Sequence, residues 1–426
     1  MVVEKSKEKS PDSFLVHFLN VGFLPVSPSL PNPHVATHDY SRFGRECLES
    51  VVHRHRACDC EPWRAKKSPS SRHRVSIGCS EQSLRSALSS RNNNKRKPNP
   101  SVPTMTTLSV VQYNVLAEAL SNPVMCPDAG FSSMPPEHMS WAHRGRLVIQ
   151  KIKDANADLV CLQEVDHYYD SVEPALREVG YLGIYREDEW SPCRGKSDGT
   201  LKDGVAIFYK RDTLELVGVH APCTPREEKA PVEFGKDAGK TLMARFRVFG
   251  SDPEVTSGSR HATHVSATEQ VIVCTSHFSS AKTTAGASRR VAQAATLMKE
   301  LEAFRKFSCD DGDDAAPPVA IIFAGDLNAT PDEVAIDGIK KMFVSTYETF
   351  LGHEPNFTTW KKRTGAFKPG EAKMTIDYIF VSNECETVDV AALPGVEEIG
   401  HKALPCPEYP SDHLMLRAVV KLPERG

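Results

Sequence analysis

Eight polar side chains interrupt or end apolar runs in this chain: Asn114, Glu164, His277, Asp326, Asn328, Asp377, Asp412 and His413. Carboxylates and carboxamides offer hard oxygen donors. No paired Cys/His spacing of the zinc type accompanies them, so the set favours Mg2+, with Mn2+ as the alternative, over zinc. Two histidines with no Ser or Cys nucleophile in the pattern favour activation of water over a covalent intermediate. Together these groups suit the hydrolysis of a phosphate ester. A single Glu at a strand end is ordinarily solvated and a single His ordinarily structural; the shared placement of all eight carries the reading.

That placement requires strands. In Ile321-Ile322-Phe323-Ala324-Gly325-Asp326-Leu327-Asn328 an apolar run stops at Gly-Asp-x-Asn. Alternation along an extended chain points Asp326 and Asn328 the same way, and Gly325 leaves room for close backbone approach. Period-two and continuous apolar runs predict further strands over 109–114, 159–164, 204–209, 242–249, 271–277, 375–381 and 414–422. Ser140 is placed to cap a helix carrying Trp141, Val148, Ile152 and Ala155 on one face. A second helix is predicted over 288–307, with Ala294, Leu297, Met298, Leu301 and Phe304 on its apolar face. Residues 251–269 read as a long loop. The run Asp310-Asp311-Gly312-Asp313-Asp314 reads as a solvated connection. Helices separated by groups of strands predict an α/β protein with mixed sheets.

The 426 residues leave room for one large domain or two ordinary ones, and 40% apolar content supports a core. No apolar run approaches the length of a membrane span. A net charge of -3 argues neither for nor against a nucleic-acid partner. The 12 cysteines are scattered, several within apolar runs, as expected of buried free thiols in a reducing compartment. Cys58-Asp59-Cys60 after His53 and His55 reads as coincidence. Residues 1–105 form a basic, Ser/Pro-rich leader, with 17 Lys and Arg against 9 Asp and Glu. It has too little apolar periodicity to offset its ordering entropy, so disorder is expected there, with the folded domain over 106–426. A transit peptide and a nuclear signal at Lys95-Arg96-Lys97 are both open readings.

The residues also resemble a known family. Tyr113-Asn114, Leu162-Gln163-Glu164-Val165, Ser276-His277-Phe278, Gly325-Asp326-Leu327-Asn328, Ile376-Asp377-Tyr378 and Ser411-Asp412-His413 match, in order, signatures of the endonuclease/exonuclease/phosphatase superfamily. The resemblance implies a four-layer α-β-β-α sandwich of two mixed sheets, with the site at one end of the sheets. It implies that Glu164 holds Mg2+ with Asn114 beside it, and that Asp412 supports the metal region. Asp326 and Asn328 would orient the attacking water, His413 paired with Asp377 would act as base or stabilise charge, and His277 would bind the scissile phosphate.

Further motifs, from Glu164 to Asp170, Trp190-Ser191-Pro192-Cys193, Thr358 to Lys361 with Arg363-Thr364, and Tyr409 to His413, are similar to a member of the deadenylase-related branch. That resemblance implies a 2'-phosphatase acting on NADP+ and NADPH. The alternative is a 3'-exoribonuclease that shortens poly(A) at the RNA 3' end. Deadenylases of the branch carry Asp-Phe-Lys-Gly before Ile-Asp-Tyr, where this chain has Glu371-Ala372-Lys373-Met374-Thr375. Two lysines of the branch member are replaced here, one within Glu187-Asp188-Glu189 and one at Ser279. Arg186, Lys282, Lys361 and Arg363 are therefore the candidate phosphate clamps, and Trp190 a candidate wall of the pocket. The same resemblance inclines localisation towards the mitochondrion, with the cytoplasm as the alternative.

Overall fold

Side chains that alternate between two faces explain most of this architecture. The computed structural model describes residues 106–423, apart from Ser132, Trp190, Asp198 and the segments 222–239, 250–269, 307–318 and 366–368. The leader, Trp190, the loop at 251–269 and the acidic run at 310–314 lie outside the described residues.

The chain opens with β1 (Thr107–Asn114), β2 (Leu159–Gln163), β3 (Tyr181–Glu187) and β4 (Gly204–Lys210). It continues with β5 (Leu214–His220), β6 (Thr241–Val248), β7 (Gln270–His277), β8 (Ala320–Asp326) and β9 (Phe343–Ser345). The last strands are β10 (Thr359–Arg363), β11 (Gly370–Met374), β12 (Asp377–Ser382), β13 (Glu386–Val390) and β14 (Leu416–Lys421). One sheet runs β13-β14-β1-β2-β4-β3, the other β5-β6-β7-β8-β12-β9, and β10-β11 forms a separate hairpin. The β1/β2 and β7/β8 pairs are parallel and their neighbours antiparallel, so both large sheets are mixed.

Leu108 and Val110 of β1, Leu159 and Cys161 of β2, Val271 and Val273 of β7, and Ile322 and Ala324 of β8 share one core between the sheets. The alternate residues point outward. Val111, Tyr113, Val160 and Leu162 pack with Trp141, Val148 and Ile152 of α1 (Trp141–Ala155). Ile272, Cys274, Ile321 and Phe323 pack with Ala294, Leu297, Met298 and Leu301 of α2 (Thr284–Lys306). Helix, sheet, sheet and helix therefore stack in four layers, as the resemblance implies.

Some local details differ from the sequence reading. The α2 helix begins at Thr284 because the Thr283 hydroxyl accepts from the Gly286 amide at 3.1 Å. Ser140 makes no side-chain cap on α1; the Glu118 carboxylate accepts from the Trp141 amide at 2.8 Å instead. The strand expected over 375–381 starts two residues later, as β12 at Asp377, while β11 ends before that range at Met374. Between them the Ile376 carbonyl accepts from the Leu327 amide at 2.8 Å, which ties the break to the end of β8.

Candidate active site

The inward-facing positions change character along each strand. On β1, Leu108 and Val110 are followed by Gln112 and Asn114; on β2, Leu159 and Cys161 by Gln163; on β7, Val271 and Val273 by Thr275 and His277. Gln112 Nε2 donates to Gln163 Oε1 at 2.7 Å and to Asp377 Oδ1 at 3.1 Å, and Gln163 Nε2 donates to Thr275 Oγ1 at 3.0 Å. This buried amide layer floors a set of ionisable groups and leaves Gln112 Oε1 as its one buried atom with no hydrogen-bond partner among the described residues.

Strand register assembles that set. Parallel pairing of β7 with β8 puts His277 beside Asp326, and antiparallel pairing of β12 with β8 puts Asp377 opposite it. The close β7/β8 approach needs Gly325, where a Cβ would lie 2.2 Å from the Ser276 carbonyl oxygen. From the other sheet, Asn114 Nδ2 donates to Glu164 Oε1 and to Asp326 Oδ2, both at 3.0 Å. Glu164 adopts φ 56° just past β2, and its Oε2 accepts from the Ala117 amide at 3.2 Å. His277 Nε2 lies 3.5 Å from Asp326 Oδ2 and 3.9 Å from Glu164 Oε1. Burial first, and then the Lys240 ammonium, push the His277 imidazole down to about 3.

Asn328 reaches the site by a different route from the one expected. β8 ends at Asp326, so strand alternation does not extend to residue 328. Asn328 has φ 51°, and its amide folds back onto Asp326 Oδ1 at 2.9 Å. Its Nδ2 donates to the Phe278 carbonyl at 3.2 Å, and its own carbonyl accepts from Lys282 Nζ at 2.9 Å. A turn closed by the Asp326 side chain, rather than a shared strand face, sets the geometry of this pair.

His413 Nδ1 lies 2.9 Å from Asp377 Oδ2, which also accepts from the Thr358 hydroxyl at 2.6 Å. Its Nε2 is 3.8 Å from Asp326 Oδ2 and 3.8 Å from Asp412 Oδ1. Burial alone would lower this imidazole, but Asp377, Asp412 and Asp326 lift it to about 9. Ser411 ties the segment down by donating to the Asn114 carbonyl at 2.7 Å.

Asp412 is surrounded by cations. Its Oδ2 lies 2.6 Å from Lys361 Nζ and 3.5 Å from Arg363 Nη2, and despite burial these cations and His413 hold its pKa well below the carboxylate range. Lys361 and Arg363 are thus already engaged with a buried acid. Arg186 Nη1 donates to the Thr241 carbonyl at 2.7 Å and bridges the two sheets.

Several contributors escape sequence reading. Gln163 and Thr358 lie within the motifs but carry no role there, and with Gln112 they support the site from below. Arg144 is fully buried and donates to the carbonyls of Val115, Leu116, Met139 and Pro410, fixing the segment after Asn114 against the one before Asp412. Lys240, next to β6, stands across from His277; extending the alternation of Leu242 back by two would have found it.

Could these residues hold a cation? Ligand atoms of Glu164, His277 and Asp326 lie within 4.8 Å of one another, as do those of Asp326, Asp377 and His413. Among the described residues no Lys or Arg forms a salt bridge with Glu164 or Asp326. Besides the Asn114 amide they share, half-buried Glu164 accepts from the Ala117 amide and buried Asp326 from the Asn328 amide, all neutral donors. Negative charge so placed, on oxygen donors, fits a hard divalent cation.

The profile of the Endonuclease/Exonuclease/phosphatase family matches residues 111–413. Nocturnin of Xenopus laevis is 30% identical over 322 residues, spanning 73% of this chain and 71% of the relative. In structure, the catalytic domain of human nocturnin with bound sulfate shares the fold with a TM-score of 0.52 at 22% identity, covering 74% of this chain and 93% of that one. ANGEL2, a 2',3'-cyclic phosphatase in complex with adenosine-2',3'-vanadate, gives a TM-score of 0.56 at 18% identity, covering 75% and 97%.

Proposed function

Because the chain belongs to the endonuclease/exonuclease/phosphatase family and is a phosphoric ester hydrolase, we propose that it removes the 2'-phosphate of NADP+ and NADPH with Mg2+ as cofactor. The observation that carries this reading is the stretch before Ile376. A poly(A) track needs stacking surfaces for successive bases. Here residues 370–374 form a strand of the β10–β11 hairpin without an aromatic residue, and the Lys373 ammonium lies 5.3 Å from the Trp360 ring centroid. Trp360 itself is packed away, 3% exposed, with its indole nitrogen donating to Glu371 at 2.7 Å. The likeness of the local motifs to nocturnin supports the same substrate.

Glu164 and Asp326, with Asn114 between them, are the residues that would hold the ion. When bound, it supplies positive charge for the phosphoryl oxygens as negative charge spreads over them. His277 binds the scissile phosphate. Asp326 and Asn328 orient the attacking water. The His413 imidazolium, aligned by Asp377 through Nδ1, presents Nε2 to the reaction, where it stabilises charge or exchanges a proton. Lys282, on the Asn328 carbonyl, stands at the rim as a further phosphate contact.

Purified protein incubated with NADPH, and separately with a short oligo(A), each with Mg2+ or excess chelator, tests the proposal. Phosphate release from NADPH that chelator abolishes, and that Glu164→Ala nearly abolishes, is expected. Trimming of oligo(A) with no release from NADPH would replace the phosphatase by the exoribonuclease.

A further inference from the structure

Lys240 extends the row of site residues by one strand. β6 pairs antiparallel with β7, with Thr241 opposite Ser276, so Lys240 falls opposite His277. Leu242 faces the core between the sheets, and Lys240, immediately before β6, stands close enough for its charge to bear on the His277 imidazole. Across β6, β7, β8 and β12, Lys240, His277, Asp326 and Asp377 therefore stand at one level of the sandwich. The Lys240 side chain is 23% exposed, and its Nζ lies 3.6 Å from Asp188 Oδ2, longer than a hydrogen bond. Asp188 is itself 1% exposed, and its amide donates to the Asp203 carbonyl at 2.9 Å. Lys361 by contrast lies 2.6 Å from its acid, Asp412.

We propose that Lys240 recognises the terminal, doubly charged phosphate of a monoester, moving from Asp188 to that phosphate when substrate binds, and so sets a preference for phosphate monoesters over diesters. This rests on the phosphatase reading of the site and names its selectivity determinant. A phosphate monoester carries close to two negative charges at neutral pH, whereas a diester carries one. The second charge needs a second cation near His277. Lys240 stands there, 3.6 Å from Asp188 and with the Asp203 and Glu164 charges also acting on it.

The test compares the wild type with Lys240→Met, Lys240→Arg and Asp188→Asn, all with Mg2+. Inorganic phosphate binding is measured by calorimetry, and kcat and KM by phosphate release from NADPH and by digestion of oligo(A). Loss of one charge-assisted contact is expected to weaken phosphate binding and raise KM for NADPH about ten-fold or more. Change in kcat should be smaller, the effect on the diester smaller still, and Arg should recover most of the loss. Asp188→Asn, which releases the ammonium, should bind phosphate at least as tightly as the wild type. Equal phosphate binding by wild type and Lys240→Met would overturn the proposal. So would weakened binding in Asp188→Asn, which would make the pair structural. A wild type that releases no phosphate from NADPH would remove the substrate assignment, and the phosphate-binding comparison would still decide the role of Lys240.

Discussion

Asn114 is one amide serving two carboxylates, and that economy explains why the rest of the site is built as it is. Glu164 and Asp326 come from different sheets, and only a donor reaching both can hold them together in the absence of a cation. His413 is organised on the same plan from the opposite side, with Asp377 fixed by the Thr358 hydroxyl and the Gln112 amide. Because Asp377 keeps those two donors when the imidazole is removed, His413→Ala should fold. We expect turnover to fall by roughly 10²–10⁴, the range for a positioned acid–base or charge-stabilising group, with little movement in Tm. Retained activity, or loss of the folded state, would make His413 a packing residue.

At the scale of elements, legibility follows burial. The eight strands that the sequence reveals, β1, β2, β4, β6, β7, β8, β12 and β14, are the interior strands of the two sheets. Interior strands are covered on both faces and read as apolar runs. The four edge strands, β3, β5, β9 and β13, pair on one side only; β13 is mostly exposed and β9 has three residues, so neither shows a period. Most candidate site residues were legible because they end interior strands. Lys240 was missed because it precedes its strand, and Arg144 because its function lies in backbone carbonyls that no motif records. Gly325 is the most exacting position in this arrangement. A methyl group there meets the Ser276 carbonyl at 2.2 Å and cannot be relieved by side-chain rotation. Gly325→Ala should therefore destabilise by about 1–3 kcal/mol, the usual cost of overpacking. It should also lower kcat, because the same shift separates His277 from Asp326. A variant with wild-type Tm and kcat would show that β7 and β8 yield without cost.

Outside the site, one element junction has a pH signature of its own. His167 stacks on Trp141 at the start of α1 and joins Glu118 at 2.9 Å and Asp170 at 2.8 Å. Burial opposes protonation, but the two acids lift the imidazole to about 9 from its ordinary 6.5. Its contribution is thus complete below about 6.5 and lost as pH rises through 9. Burial would raise Glu118, but His167, the Trp141 amide and Asn122 hold it to about 2. That share is present above its ordinary 4.5 and lost as pH falls through 2. The difference in Tm between wild type and His167→Gln should be greatest between about pH 4.5 and 6.5 and shrink towards pH 9 and above. A pH-independent difference would mean that the ring contributes by packing on Trp141 alone.

For the molecule as a whole, the question is how much of the chain the site requires. Among the described residues, both sheets, the helices on their outer faces and the ionisable residues gathered at the site form one continuous arrangement. β1 begins at Thr107 and is interior, flanked by β14 and β2, so its register is fixed by neighbours within that arrangement. The Leu422 amide donates to the Thr106 carbonyl at 2.9 Å, which extends the β1/β14 pairing by one bond. Leu108 and Val110 fill the core between the sheets, and Asn114 at the far end of the same strand joins the two carboxylates. Stability and catalysis therefore both depend on residues after 106, and deletion of 1–104 should leave a folded enzyme with unchanged Tm and phosphate release. A fall in Tm on deletion would show that the leader packs on the domain; a fall in activity alone would place part of it at the site. The leader's own role is tested separately, by fusing 1–104 to a fluorescent protein. Mitochondrial accumulation is the expected result for a transit peptide, and diffuse cytosolic signal would remove that assignment while leaving the enzymology untouched.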